Sequence, residues 1–536
     1  MYLIIIEDFN AMKKLFVLLF CSFIYASAVL PQLSFAASLS NIDVPIWQPY
    51  DFVFKAAVSN ENPFLVNFEA MVIGPNGKLI SIPGFYNGNG EWIIRVSPTA
   101  EGEWKIITKS SQSELNGKGI TFSCVKNNNS KVHGILEVDK KHPHHFIFED
   151  GTHFFMQGYE YDWLFALDMD KKDVPTIDKT LDIISSYGFD YVLMDSYAYD
   201  TKWRTGKTGP DDYGPPLMCP WEGSNEKPNY NRMNLSYWNH FDKVIDALYE
   251  RGMEAHIFIK VYNKEVNWPK DNSQEEKFFF TWLIARYSAY PNIIWDLSKE
   301  AQREKDSAYK QGMLKFIRAN DPYHHLMTVH DDDTTYDSGA YDSLLDFRAD
   351  QQHKNYHDTI IRERAQNKWP VANVESDYEC GPGGIKDKTY NSAHTTDQTI
   401  RTLWEIAMAG GYTGYYYTYT AWDVIHPFDI PPGYEDMKHF KDFWQSSKYW
   451  QLQPSDSLVS EGYCLADPGK EYIVYEKDVK PITLNISSAK GNLTGEWFNP
   501  YTGKTYSAGT FDNGTVKINP PDNWGSDPVI LHLKQD

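Results

Sequence analysis

Cysteines are scarce in this sequence, and their spacing excludes one common use of the residue. Only 5 of the 536 residues are cysteine. Cys21 lies in the N-terminal segment, and the other four (Cys124, Cys219, Cys380 and Cys464) stand far apart, without the paired spacing of a structural zinc site. One or two disulfides among these four remain open, and the sequence does not select a pairing.

Basic residues are also in short supply. Lys and Arg number 51 against 72 Asp and Glu, which gives a formal net charge of −21 at pH 7. No basic stripe occurs, and an acidic surface repels phosphate backbones, so nucleic acid is not expected as a partner. The oligomeric state stays undetermined at this level.

Long apolar runs are confined to the N-terminus, so no membrane span is expected in the rest of the chain. Met12 is followed by two lysines, an apolar run and small residues ending at Ala36. This order predicts a secretory signal peptide over residues 1–36 that starts at Met12, with Ala26-Ser27-Ala28 as an alternative cleavage site. The mature protein is therefore expected in the periplasm or outside the cell.

Aromatic residues, in contrast, are abundant: they make up 15% of the chain, with 17 Trp and 36 Tyr. Most aromatic side chains pack in cores, but flat aromatic faces also bind the apolar patches of sugars. The composition is thus compatible with carbohydrate binding without establishing it.

The pattern along the chain predicts three domains, consistent with a length beyond that of a single core. Residues 37–130 show short, partly alternating strands separated by turn residues, which indicates an Ig-like β-sandwich that ends in the linker KNNNSK. Residues 453–536 return to short strands and predict a second, small β-sandwich. Between them, residues 131–452 form the third domain.

This central segment alternates strand-like and helical patterns. Strand-like runs such as MEAHIFIKVY and NIIWDLS are followed by helical patterns such as EEKFFFTWLIARYSA and SAYKQGMLKFIRAND. Eight such steps predict an α/β fold, the (β/α)8 or TIM barrel. In this fold the active site is built at the C-terminal ends of the strands.

Two glutamates stand at such strand ends. Glu300 follows the fourth predicted strand, NIIWDLS, and Glu375 closes the seventh, PVANVE. Two converging carboxylates are what glycosidic cleavage requires, one as proton donor and one as nucleophile, about 5–5.5 Å apart in a retaining enzyme. We therefore predict that Glu300 is the acid/base and Glu375 the nucleophile. The structural alternatives are a helix N-terminal carboxylate for Glu300 and a surface charge for Glu375, the latter disfavoured because Glu375 ends an apolar strand.

These motifs also carry a family resemblance. The segments EDGTHFFMQGYEYDWLFAL, LSYWNHFDKVIDALYERGMEAHIFI, NIIWDLSKEA and PVANVE resemble the apiosidase-like group within the clan of retaining (β/α)8 glycoside hydrolases. The resemblance implies an N-terminal β-sandwich of unassigned function, an acid/base at Glu300 and a nucleophile at Glu375. In the clan the acid/base commonly follows an Asn that contacts the sugar 2-hydroxyl. Here Lys299 replaces that Asn, which puts the sugar-binding geometry in question.

Further residues near predicted strand ends are candidates for substrate binding. Trp is a stacking platform for a sugar ring, and Asp or His is a partner for a hydroxyl group. Trp203 lies in the long polar loop after the second strand, and loops of that length are often functional. For each residue alone, packing or loop capping explains its type equally well. The candidates are Tyr159, Asp162, Trp163, Asp195, Trp203, Lys260, His330, Gln352, His353 and Trp422.

The expected function is a secreted retaining glycoside hydrolase acting on a plant or algal polysaccharide or its oligosaccharides. Hydrolysis by two carboxylates requires neither a cofactor nor a metal, so none is expected. Two alternatives remain. One is a non-catalytic carbohydrate-binding or scaffold protein with a decayed barrel, and the other is a metal-dependent hydrolase that uses His330, His353 and nearby Asp residues.

Overall fold

Eight parallel strands close into a barrel in the computed structural model, which describes residues 39–58, 62–200, 216–332, 341–386, 393–420 and 425–535. We number the strands β1 to β8 in chain order. Each pairs with the next, and β8 pairs with β1. The strands are β1 Gln157–Glu160, β2 Tyr191–Asp195, β3 Glu254–Val261, β4 Ile293–Lys299, β5 Met327–Thr328 with His330–Asp332, β6 Arg348–Gln351, β7 Val371–Glu375 and β8 Tyr412–Tyr415. The predicted (β/α)8 barrel is confirmed.

The fifth strand is interrupted at Val329. Its first piece pairs with β4 and its second piece with β6, so the two pieces together complete the ring. Between β5 and β6 the described residues contain the 3-10 turn Asp342–Leu344 and no α-helix. The other strands are followed by helices α1 Pro175–Ser186, α2 Leu235–Arg251, α3 Gln274–Tyr287, α4 Ser307–Asn320, α5 Tyr356–Gln366, α6 Thr396–Met408 and α7 Gly433–Ser446.

Helix α2 shows how local sequence sets these boundaries. The side chain of Asn234 accepts hydrogen bonds from the first free backbone N–H groups of the helix. At the other end Gly252 adopts a left-handed backbone, φ 65°, that a side chain would strain. The helix therefore ends at Gly252.

The N-terminal region forms two sheets that pack around buried aromatic side chains such as Trp92 and Trp104. The larger sheet contains, in spatial order, Leu39–Pro45, Gly119–Val125, Gly102–Ser110, Phe68–Ile73 and Leu79–Pro83. The smaller contains Tyr50–Lys55, Glu91–Val96 and Phe85–Tyr86. A separate antiparallel sheet precedes the barrel; it contains Leu136–Val138, Phe146–Phe148 and His153–Phe154.

The C-terminal region is a six-stranded antiparallel sheet faced by a two-stranded one. Its own core includes Tyr472, Leu484 and Trp497. The larger sheet contains, in spatial order, Gln453–Pro454, Tyr463–Asp467, Glu471–Glu476, Val529–Gln535, Leu493–Phe498 and Thr505–Phe511. The smaller pairs Ile482–Asn485 with Thr515–Ile518. Short paired segments in the barrel loops are Trp221–Ser224 with Lys227–Met233 and Tyr378–Glu379 with Ala393–His394.

A network of four charged residues, in which both arginines are buried, joins the N-terminal sheets to the barrel helices. We call Asp51, Arg95, Asp242 and Arg286 the interface network. Arg95 donates to Asp51 (2.6 and 2.9 Å) and to Asp242 (3.2 Å). Arg286 of α3 donates two hydrogen bonds of 2.8 Å to Asp242 of α2. Residues 41–536 accordingly form one compact unit.

Some sequence predictions concern residues outside the described ranges, and others can be compared with the described ones. The predicted signal peptide, Trp203 and Trp422 lie outside the described residues. Cys124, Cys219, Cys380 and Cys464 are all free thiols, so none of the disulfides left open by the sequence is present among them. Within the described ranges, none of the helices has both the length and the apolar character needed to cross a bilayer.

Candidate active site

Glu375 ends β7 inside a cage of polar groups. Its side chain is 1% exposed. One carboxylate oxygen, Oε1, accepts hydrogen bonds from Gln351 Nε2 (2.9 Å) and from the Tyr378 hydroxyl. The other, Oε2, lies 3.1 Å from Lys299 Nζ and 3.3 Å from His330 Nε2. Both oxygens are therefore fixed in position.

The charge state of Glu375 follows from these partners. Burial by itself raises the pKa of Glu375, but the charge of Lys299 and the contact with His330 outweigh it, and the pKa lies well below its usual value. The carboxylate is thus ionised at neutral pH. An ionised, immobilised carboxylate at a barrel strand end has the properties of a nucleophile.

Glu300 lies one residue beyond β4 in an unusual backbone conformation. Its φ and ψ are 52° and 48°, a left-handed geometry that costs free energy in any residue other than glycine. Such strain marks positions that the surrounding structure holds in place, often at functional sites. The carboxylate accepts a 2.8 Å hydrogen bond from Asn263 and pairs with Arg303, whose side chain is 57% exposed.

His330 connects the two glutamates. The backbone N–H of Glu300 donates to His330 Nδ1 at 3.1 Å, so this ring nitrogen is the acceptor. The proton of the neutral ring is consequently on Nε2, which faces Glu375. One imidazole thereby ties the end of β4 to the end of β7.

Lys299 brings three carboxylates together, and Glu375 is one of them. Its ammonium contacts Glu160, Asp162 (2.8 Å) and Glu375 (3.1 Å), and its side chain is fully buried. We call Glu160, Asp162, Lys299 and Glu375 the site network. Burial raises the pKa of Asp162 well above its usual value, and the charge of Glu375 adds to the rise.

Asp195, at the end of β2, has no hydrogen-bond partner on either carboxylate oxygen within the part of the chain that the structure describes. The residue is fully buried. Burial and the neighbouring charge of Asp162 raise its pKa well above the usual value, while the charge of Lys264 opposes the rise. A buried group without a partner is a natural place for a ligand hydroxyl to bind.

Comparison with known families agrees with this geometry. Residues 140–451, more than half of the chain, match the family described as "Apiosidase-like, catalytic domain". The chain belongs to the apiosidase-like family. The resemblance inferred from the sequence motifs is therefore confirmed.

The flanking regions of this apiosidase-like protein match other families. Residues 43–111 match a domain of unknown function, DUF5060, and residues 454–532 match a family described as "Putative collagen-binding domain of a collagenase". A search among curated proteins found no match.

Solved structures share the fold at low sequence identity. A "putative glycoside hydrolase from Bacteroides vulgatus ATCC 8482" is 18% identical with a TM-score of 0.77, and the alignment covers 92% of this chain and 100% of that one. A "glycoside hydrolase family 5" structure from the same organism is 17% identical with a TM-score of 0.60, covering 75% and 93%. At sequence identities of 17–18%, these structures show that the fold is shared. The family and the fold together support a glycosidase.

The barrel brings five of the sequence-predicted residues into one polar group. Glu300, Glu375 and His330 are joined by the contacts described above, and Asp162 and Asp195 lie beside them, with the backbone N–H of Asp195 donating to the carbonyl of Asp162 at 3.0 Å. They come from the ends of β1, β2, β4, β5 and β7. This convergence is what parallel strand ends in a closed barrel produce.

Two predicted residues lie at the edge of this group. Trp163 is 1% exposed and packs its ring against Phe165, with ring centres 5.9 Å apart, so the structure gives it a packing role. His353 is exposed, and its ring centre lies 5.8 Å from that of Tyr378. Since Tyr378 holds Glu375, His353 borders the site rather than forming it.

Tyr159 and Lys260 make their contacts away from the site network. The Tyr159 hydroxyl bonds Thr420 (2.8 Å) and Tyr434 of α7 (2.9 Å). Lys260 donates to Asp271, Glu276 and Tyr309, which lie at the starts of α3 and α4. Both side chains therefore lie between the strands and the starts of the surrounding helices.

The predicted residue Gln352 does not contact Glu375, whereas the adjacent Gln351 does. Its side chain donates to the carbonyl of Lys354 within its own loop. Gln351 instead donates to Glu375, because the pairing of β6 with β7 shifts register between Asp350 and Gln351. A one-residue shift exchanges the side chains that face the two sides of a sheet.

Sequence reasoning missed Glu160, Lys264, Tyr378 and Tyr416. Glu160 stands two residues before Asp162, and residues two apart along an extended chain share a face, so this signal was readable. Tyr416 donates to Asp162 at 3.1 Å, and its ring stacks on that of Tyr378 with centres 4.2 Å apart. These aromatic contacts across strand ends had no signal in the sequence.

Three residues of the site have the ligand types that a metal ion prefers. Ligand atoms of Glu160, His330 and Glu375 lie within 4.8 Å of one another. However, the Lys299 ammonium contacts both carboxylates, and His330 Nε2 carries a proton in the tautomer fixed by Glu300. The positive charge that balances these carboxylates is thus the ammonium of Lys299. The three residues therefore fit a metal ion poorly.

Proposed function

We propose that this protein is a secreted retaining glycoside hydrolase in which Glu375 is the nucleophile and Glu300 the acid/base. The observation that carries the proposal is the state of Glu375. It is buried and ionised, with hydrogen bonds to Oε1 and ion-pair contacts from Lys299 and His330 to Oε2, and His330 links it to the backbone of a second glutamate at another strand end. Two carboxyl groups with different environments are the requirement for double displacement.

In the first step a carboxylate oxygen of Glu375 attacks the anomeric carbon of the bound sugar. The bond from that carbon to the leaving oxygen breaks, and Glu300 donates its proton to the leaving oxygen. The product of this step is a glycosyl ester on Glu375. Gln351 and Tyr378 hold the attacking carboxylate in place during the attack, because both donate to it in the resting protein.

In the second step Glu300, now ionised, accepts a proton from a water molecule. The water oxygen attacks the anomeric carbon, the ester bond to Glu375 breaks, and the sugar leaves with its original anomeric configuration. His330 holds the backbone of Glu300 at 3.1 Å and so keeps the two carboxyl groups in register for both steps.

The sugar itself requires hydroxyl partners, and Asp195 supplies one. Its unpartnered carboxyl group at the end of β2 gains a hydrogen bond when a hydroxyl arrives. We propose a plant or algal polysaccharide, or an oligosaccharide derived from one, as substrate. This choice rests on the secretion signal expected at the N-terminus and on the membership of a family with glycosidase character.

The test is a screen of sugar release from diverse plant and algal polysaccharides and their oligosaccharides, with the full chain and two matched variants. Glu375→Gln removes the nucleophile without changing its size. Glu379→Gln changes a second buried glutamate of the same loop, which bonds Thr396 (2.6 Å), Tyr415 and the Gly433 backbone. We expect Glu375→Gln to lower turnover by roughly 10⁴-fold or more and Glu379→Gln to retain it.

Equal turnover by wild type and Glu375→Gln would contradict the proposal. The second candidate function is a non-catalytic carbohydrate-binding protein, and the observation that favours it is the engagement of Glu375 by Lys299. Binding of a polysaccharide by wild type and Glu375→Gln alike, without sugar release by either, would support this second candidate.

A further inference from the structure

We infer that Lys299 is a positioning residue that keeps the carboxylate of Glu375 ionised and fixed by bridging it to two other carboxylates, Glu160 and Asp162. The inference rests on the proposed function, in which Glu375 is the nucleophile. Nothing in the sequence pattern assigns Lys299 this task, which follows from the position of its side chain at the end of β4.

The geometry of the ammonium group carries the inference. Lys299 Nζ contacts Glu160, Asp162 (2.8 Å) and Glu375 (3.1 Å), and the rings of Phe258 and Tyr416 lie over it at 5.3 and 5.8 Å. An ammonium group has three N–H donors, and three carboxylates match them. Because the donors are engaged within the protein, Lys299 acts on the sugar through Glu375.

The charge balance shows what the bridge does. The groups that face Glu375 are Lys299 from β4, His330 from β5, Gln351 from β6 and Tyr378 from the loop after β7, with the carboxyl groups of Glu160, Asp162 and Glu300 nearby. His330 is neutral in the tautomer that accepts from Glu300. Among the described residues, the formal positive charge within ion-pair distance of Glu375 is therefore that of Lys299.

Removal of this charge changes the ionisation of the whole group. Without Lys299 three buried carboxylates would face one another, and like charges in a buried site cannot all ionise. Burial and the charge of Glu375 already raise the pKa of Asp162. Between Asp162 and Glu375, the bridge thus favours the charged form of Glu375.

The test measures the ionisation of Glu375 directly. The full chain is labelled with glutamate carrying ¹³C at the side-chain carboxyl carbon, and the Glu375 signal is assigned by its loss in Glu375→Gln. In wild type we expect the signal to stay at its ionised position down to a pH below the ordinary glutamate pKa of about 4.3. In Lys299→Met the signal should titrate at a pH at least about one unit higher.

Lys264→Met is the matched control for this titration. Lys264 is a second buried lysine of the site, but its ammonium pairs with Asp200 at 3.3 Å and acts on Asp162 and Asp195. Its removal should leave the titration of Glu375 within a few tenths of a pH unit of wild type. If the titration of Glu375 shifted equally in both lysine variants, the effect would come from any nearby positive charge. This result would overturn the specific role of Lys299.

Loss of the buried ammonium group can also prevent folding. A double variant that removes one carboxylate as well allows the titration to be measured in that case. Lys299→Met combined with Glu160→Gln removes one carboxylate together with the ammonium, which lowers the repulsion left in the site. The same upward shift of the Glu375 titration is expected in the double variant. A titration of Glu375 that matches wild type in whichever variant folds would overturn the inference.

Kinetics separate this inference from the proposed function. Where wild type releases sugar, the acidic limb of its kcat/KM profile should move to higher pH in Lys299→Met, and KM should change less than kcat. A limb that does not move would contradict the role of Lys299. Absence of sugar release by wild type would reject the proposed function, whereas the carboxyl titration would still decide whether Lys299 sets the ionisation of Glu375.

Discussion

The protein contains two charged networks, one with buried arginines and one fully buried, that differ in how completely their polar groups are hydrogen-bonded. In the interface network two guanidinium groups face two carboxylates, and Arg95 and Arg286 each donate at least three hydrogen bonds. In the site network one ammonium faces three carboxylates, and Glu160 Oε2 has no hydrogen-bond partner in the described ranges. Positive and negative groups are equal in number in the interface network, whereas carboxyl groups outnumber the ammonium group in the site network.

This difference separates structural from functional burial of charge. A buried network that is fully hydrogen-bonded holds elements in one arrangement, whereas breaking one of its pairs leaves a costly unpaired charge. A network with unpartnered buried groups is less stable alone and gains when a ligand supplies the missing partners. Substitutions in the two networks should therefore have effects of different kind and sign.

Among the substitutions that compare the two networks, the largest effect is expected for Glu300→Ala, next to the site network. It should lower kcat/KM about 10²–10⁴-fold for substrates with poor leaving groups, because the leaving oxygen then departs without a proton. Dinitrophenyl glycosides of a sugar found in the substrate screen need no such proton, and their rate of bond cleavage should fall far less. Glu304→Ala, four residues further along the same loop, is the control and should behave as wild type for both substrates.

The next effect, on stability, is expected for Asp242→Asn in the interface network. Burial alone would raise the pKa of Asp242, but the charges of Arg286 and Arg95 lower it to about 2. A lowered folded-state pKa contributes stability above the unfolded pKa of about 3.9, and this contribution is lost as pH falls toward 2. Urea denaturation at pH 7 should show a loss of about 3–5 kcal/mol, because two arginines lose their buried partner.

A smaller effect of opposite sign is expected for Asp195→Asn. Burial raises the folded-state pKa of Asp195, so its protonated form is favoured, and the stability it contributes is lost as pH rises through that pKa. At pH 7 the neutral amide should stabilise the protein by about 1–3 kcal/mol, and the gain should shrink toward pH 4. The same variant should raise KM, because the amide presents N–H donors where a carboxyl oxygen of Asp195 would accept from a sugar hydroxyl.

These two Asp→Asn substitutions form a matched pair for urea denaturation. Destabilisation by both, to a similar extent and with the same pH dependence, would remove the distinction between the networks. A gain in stability from Asp195→Asn without any change in KM would keep the distinction but would take Asp195 out of sugar binding.

The fold was predictable because its signals are local and repeated. Alternating strand and helix patterns, with a stop such as Gly252, are enough to identify a (β/α)8 barrel. Glu300 and Glu375 were placed at strand ends by the same reasoning. The interruption of β5 and the separate sheet of His153–Phe154 were not predictable, because short strands resemble the longer runs that contain them.

The orientation of side chains in the site was less predictable. Strands of a closed barrel are buried on both faces, so they lack the alternation that tells the two sides apart. For that reason Tyr159 and Lys260 were considered candidates for substrate binding without a signal for their contacts with the surrounding helices. The register shift that exchanges Gln352 for Gln351 depends on pairing with β7, which no segment of the sequence encodes alone.

The central claim is that Glu375 forms a covalent bond to the sugar, and trapping tests it most directly. The protein is incubated with a panel of activated 2-deoxy-2-fluoroglycosides, which slow the second step more than the first, and its peptides are mapped by mass spectrometry. The account predicts a glycosyl adduct on Glu375 that is absent from Glu375→Gln. An adduct on a different residue, or release of product with inverted anomeric configuration, would contradict it.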